Sequence, residues 1–63
     1  MDTRSYWVVY DYANGQQEYL QLSRECHTLE DATAYLRADS ECAISVWDDK
    51  PTRDGAQLIA RGN

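Results

Sequence analysis

Only one stretch of this 63-residue chain combines the start chemistry of an α-helix with helical periodicity, and everything else must arrange itself around it. Thr28 to Ala38 reads Thr-Leu-Glu-Asp-Ala-Thr-Ala-Tyr-Leu-Arg-Ala. Thr28 is placed to cap this helix by accepting from the backbone N–H of Asp31, while the Asp31 carboxylate reaches back in a shortened capping box. Glu30 and Asp31 fall in the first turn and Arg37 in the last, as the helix dipole favours. Leu29, Ala32, Thr33 and Leu36 recur at i, i+3, i+4 and i+7, which makes one narrow apolar stripe. A stripe that narrow needs a sheet to lie on.

The flanking segments supply the strands. Tyr6 to Tyr12 is dense in aromatic and β-branched residues, and Asn14-Gly15 follows as a hairpin signal, with Gln16 to Ser23 as the return strand. A two-residue type I′ turn sets Val9 opposite Leu20 and Trp7 opposite Leu22 on one face. The other face then carries Tyr6, Val8, Tyr10, Tyr12, Gln17, Tyr19 and Gln21. A three-residue loop with Gly15 in a bulge shifts the pairing by one residue and turns the return strand over. The first register is preferred because it separates aliphatic from tyrosyl and polar positions, although it sets Asp11 against Glu18, a mildly unfavourable pair.

After the helix, Asp39-Ser40 makes the connection. Glu41 to Trp47 is a third strand, with Cys42, Ile44 and Val46 on the core side and Ala43, Ser45 and Trp47 on the other. Asp48 to Gly55 contains the only proline and ends in Asp-Gly, so it reads as an exposed hairpin loop. Gln57 to Arg61 closes the sheet with Leu58 inward. The expected fold is one small α+β domain over residues 1–63. It has two layers, an antiparallel four-stranded sheet with one helix packed on one face, in the order ββαββ.

Size and charge narrow the function. A chain of 63 residues has one small core. Enclosing a ligand pocket of roughly 300–1,000 Å³ would consume most of it, which argues against an enzyme. Eleven acidic and six basic residues leave a formal charge of −5, which disfavours direct binding to nucleic acid or anionic lipid and favours a basic protein partner. No long apolar run follows Met-Asp-Thr-Arg-Ser-Tyr, so neither a signal peptide nor a membrane span is expected, and the expected location is cytoplasmic. In that compartment Cys26 and Cys42 are expected as free thiols.

Five tyrosines and no phenylalanine make the aromatic content unusual, and four of the tyrosines lie in the first hairpin. Tyrosine suits a surface that is solvated alone and buried in a complex. Tyr6, Tyr10, Tyr12 and Tyr19 are therefore candidate partner-binding residues, and Trp47 extends the patch by its strand phase. Acidic side chains cluster at Glu30-Asp31, Asp39 to Glu41, and Asp48-Asp49 with Asp54. Of these, Glu30, Asp31, Asp48, Asp49 and Asp54 are candidates to engage arginines and lysines that a partner offers to nucleic acid. The competing reading of both sets is ordinary sheet cover and a charged, solvated surface.

No cofactor or metal is expected. Asp48 to Gly55 lacks the liganding alternation and closing glutamate of a calcium loop. Cys26, His27 and Cys42 offer three zinc ligands without the paired Cys-x-x-Cys spacing. His27, the only histidine, is expected beside the helix cap, which leaves no oriented general base.

A short acidic chain with two strands, one helix and two strands resembles the small phage-encoded inhibitors of the anti-CRISPR kind. The resemblance covers the whole chain as a class and carries no shared motif. It implies a non-enzymatic protein that inhibits a host complex by occupying a basic, nucleic-acid-binding surface in the host cytoplasm, as a monomer or weak homodimer. The alternative is a structural or assembly domain that self-associates through a tyrosine-rich sheet face.

Overall fold

The computed structural model describes residues 4–37 and 42–62. It contains one antiparallel four-stranded open sheet and one short helix, in the chain order β1 (Ser5–Tyr12), β2 (Gln17–Ser23), α1 (Leu29–Ala34), β3 (Cys42–Trp47) and β4 (Leu58–Gly62). In space the strands lie in the order β2-β1-β3-β4, so β1 and β3 are central and β2 and β4 are the edges. No helix among the described residues is long and apolar enough to cross a membrane. Expectations for Ala38, Asp39, Ser40 and Glu41 fall outside the described residues.

The helix starts where its local chemistry says it should. Thr28 Oγ1 accepts from the Asp31 N–H at 3.2 Å and the Thr28 N–H donates to Asp31 Oδ2 at 3.0 Å, completing the capping box. It ends sooner than the expected Ala38. The α-helix stops at Ala34, and Tyr35–Arg37 forms a 3-10 turn. Thr33 sits just before this tightening, its hydroxyl donating to the Glu30 carbonyl at 3.0 Å, a local bond that competes with regular helix. The stripe is accordingly narrower than expected. Ala32 is fully buried and Thr33 and Leu36 are half-buried, but Leu29 is exposed.

The first hairpin adopts the three-residue loop, not the preferred two-residue turn. Tyr12 and Gln16 close it, with the Tyr12 N–H donating to the Gln16 carbonyl at 2.9 Å and the Gly15 N–H to the Tyr12 carbonyl at 3.0 Å. Gly15 takes φ +90°, and Asn14 Oδ1 accepts from the Gln16 N–H. Val8 therefore pairs with Leu20 and Tyr6 with Leu22. This register also removes the Asp11–Glu18 conflict. Asp11 now faces Gln17, whose amide donates to it, and Glu18 faces Tyr10 and accepts from the Tyr12 hydroxyl at 3.3 Å.

The one-residue shift decides the core. Val8, Leu22, Ala32, Cys42, Ile44 and Val46 form it, with Tyr6, Tyr10, Tyr12, Leu20, Tyr35, Leu36 and Ala60 packed around them. The expected core phase of β3 is the observed one, whereas Leu58 points outward at 40% exposure. A register shift between Val46 and Trp47 sets Ala60 opposite Val46 and Leu58 opposite Trp47, which turns Leu58 to the far side. Gly62 meets the turn after α1 so closely that a Cβ there would lie 2.7 Å from the Leu36 carbonyl oxygen.

Candidate binding face

The alternation that sends Tyr6, Val8, Tyr10 and Tyr12 toward the helix sends Ser5, Trp7, Val9 and Asp11 to the opposite face. Trp7 is the direct cross-strand partner of Trp47, and Trp47 in turn faces Leu58. Tyr19 stands beside Trp7 on β2, with ring centroids 6.3 Å apart and planes at 78°, an edge-to-face contact. A row of large side chains thus crosses all four strands on the open face. Beneath it Val9, the partner of Tyr19 and of Ser45, is buried at 4% exposure, and Ser45 accepts from Trp47 Nε1 at 2.9 Å. That bond fixes the indole and satisfies its only donor.

The β3–β4 loop borders this row. The Lys50 ammonium lies 5.7 Å from the centroid of the Trp7 ring, and Arg53 pairs with Asp49 at 3.6 Å. With Arg4 and Gln21 these side chains line an open cleft of about 420 Å³ on the flank of Trp7.

The candidate residues from the sequence divide between two sides of the molecule. Tyr6, Tyr10 and Tyr12 are half-buried on the helix side. Only Tyr19, exposed at 40%, and Trp47 share the open face, so the continuous tyrosine patch does not form. Tyr6 is covered by the Arg24 guanidinium, 4.3 Å from the ring centroid. The same guanidinium donates to the Asp48 carbonyl at 2.7 Å and so ties the end of β2 to the β3–β4 loop.

The acidic candidates also separate. Glu30 and Asp31 sit in the first turn of α1, where Asp31 is engaged in the cap and lies 3.9 Å from His27 Nδ1, the expected place for that imidazole. Asp48 is structural, since its carboxylate accepts from the Gln57 N–H at 2.7 Å and its N–H donates to the Gln57 carbonyl at 3.1 Å. Asp49 accepts from the Lys50 N–H at 2.7 Å in addition to its pairing with Arg53. Asp54 is exposed at the loop tip. Cys26 is exposed and Cys42 buried, and no disulfide joins them. Among the described residues no three His, Cys, Asp or Glu side chains converge as metal ligands.

Trp7 is a residue that sequence reasoning misplaced, by setting it opposite Leu22 on one face of the hairpin, whereas it pairs with Gln21. A signal was present: Asp11 shares the strand phase of Trp7, and a carboxylate marks the solvated side of a half-buried strand. Comparisons of the chain with protein-family models, with curated proteins and with solved structures find no match.

Proposed function

We propose that this chain is a non-enzymatic protein-binding module that acts by occupying a partner's surface, in the manner of small phage-encoded inhibitors of the anti-CRISPR kind. The observation that carries this reading is the row formed by Trp7, Trp47 and Leu58, flanked by Tyr19, on the face turned away from the helix. Tryptophan and tyrosine bury much area for little lost side-chain entropy, and they dominate the binding energy of protein interfaces when held on rigid elements. Trp7 and Trp47 stand on the two central strands, the most constrained part of the sheet.

The formal charge of −5 favours a basic protein surface, including one used for nucleic acid. Glu30, Asp31 and Asp54 contribute to that field from outside the aromatic contact. Because an exposed charge is felt over about 8–10 Å at physiological salt, they act on approach more than on the docked state. Direct base stacking on the tryptophans is the weaker reading. The formal charge of −5 works against a phosphate backbone, although Arg4, Lys50, Arg53 and Arg61 border the two tryptophans. A cytoplasmic site of action belongs to the same proposal.

The test is affinity capture from bacterial lysate with the tagged protein and its Trp47→Ser variant, each first shown to be folded by circular dichroism. Loss of the captured protein with Trp47→Ser supports the open face as the contact. Equal capture by both proteins would sink it.

A further inference from the structure

We infer that the β2 edge pairs with the β2 edge of a second copy of this chain, joining two sheets into one of eight strands. The inference is independent of what docks on the open face. It starts from the hydrogen-bond phase of the first hairpin. The Tyr12 N–H bonds to the Gln16 carbonyl, and the Arg24 N–H to the Arg4 carbonyl at 3.3 Å. In an antiparallel ladder bonded and non-bonded pairs alternate, so Gln16, Glu18, Leu20, Leu22 and Arg24 turn their backbone groups toward β1. Gln17, Tyr19, Gln21 and Ser23 turn theirs outward, along an edge where all four side chains are exposed. The Ser23 carbonyl is taken by the Cys26 and His27 N–H groups, but the outward groups of Gln17, Tyr19 and Gln21 have no neighbouring strand among the described residues.

Protein edges are ordinarily guarded by charge, proline or a bulge. β2 has seven residues, one charge, no proline and an unbroken register with β1. Its one charge, Glu18, is drawn toward the Tyr12 hydroxyl. The opposite edge is guarded: β4 is shorter and is displaced by the register shift at Trp47.

The edge is also complementary to itself, which selects a second copy over a foreign strand. A two-fold axis at Leu20 sets Tyr19 against Gln21 of the second copy as an outward-bonding pair and Gln17 against Ser23, which has only its N–H to offer because its carbonyl is taken, with the two Leu20 side chains beside each other. Glu18 then faces Leu22 and meets no like charge. The Trp7–Tyr19 contacts of the two copies come to flank the axis, so the aromatic face becomes continuous across the dimer.

Sedimentation equilibrium over a concentration series tests this, with Gln21→Pro and Gln21→Lys as variants. Proline is tolerated where the N–H points away from the ladder, so Gln21→Pro removes an inter-copy bond and leaves the β1–β2 backbone bonds in place, losing within the chain only the side-chain bond from Gln21 Nε2 to Ser5 Oγ. The expected result is a dimer for the parent chain and a monomer for both variants, with far-UV circular dichroism unchanged and Trp47→Ser still dimeric. A parent chain that remains monomeric at about 1 mM, the weak limit of specific association, would overturn the inference. So would a dimer that survives both Gln21 variants, or one that Trp47→Ser abolishes. A monomeric parent chain that captures a protein through Gln21 would show that the edge takes a foreign strand. Capture lost with Trp47→Ser while the dimer persists separates this inference from the function proposed above.

Discussion

Trp7 and Trp47 are direct cross-strand partners on the sheet face that the helix leaves open. The two largest side chains of the chain thus stand half-buried on the face away from the helix, while Tyr6, Tyr10 and Tyr12 of β1 pack around the core on the other side together with Tyr35. The arrangement follows from strand phase. Trp7 alternates with Asp11 and Trp47 with Ser45, whereas Tyr6, Tyr10 and Tyr12 alternate in step with Val8, whose side chain is fully buried.

The core is small enough that one deletion should be decisive. Ile44, at 2% exposure, lies at its centre, and Ile44→Ala should cost about 2–5 kcal/mol. A domain of this size is expected to hold about 3–9 kcal/mol in total, so the variant should be partly or wholly unfolded at room temperature. Leu58→Ala, on the open face, should cost under about 1 kcal/mol. Urea titrations of the two variants check the contrast, and equal losses would place Leu58 in the core after all.

The acidic loop residues should behave differently from one another. Asp48→Ala removes the acceptor for the Gln57 N–H at the base of the β3–β4 loop and should destabilise by about 1–3 kcal/mol. Asp54→Ala, at the exposed tip, should stay within about 0.5 kcal/mol of the parent. Thermal melts of the two single variants decide this, and an Asp48→Ala protein as stable as the parent would remove Asp48 from the loop's support.

The cysteines should report on opening of the core. Cys26 is exposed, whereas Cys42 is buried at the start of β3 at 8% exposure. A thiol reagent should modify Cys26 promptly in the native protein. In a Cys26→Ser variant, modification of Cys42 should be slow and should accelerate with urea through the unfolding transition. Rapid native labelling of that variant would mean that β3 is not held as described.

What the sequence determined by itself are the features written in neighbouring residues. Thr28 and Asp31 are three residues apart, so their capping box needs no tertiary partner, and the helix begins where that chemistry dictates. Cys42, Ile44 and Val46 alternate with smaller or more polar residues, so the buried side of β3 is legible from its pattern alone. Gly15 supplies the positive φ that the first hairpin uses, but two loop lengths are compatible with it. These differ by one residue and little local energy, and the choice between them turns the whole of β2 over. Only the tertiary structure decided it, because the winning register places Leu20 and Leu22 on the side where β3 and Ala32 bury Val8. The same long-range pairing set the strand order, turned Leu58 outward through the shift at Trp47, and left Trp7 half-buried on the face away from the helix. Local hydrogen bonds are complete within a turn, whereas the side of a strand that is buried depends on what the distant chain brings to cover it.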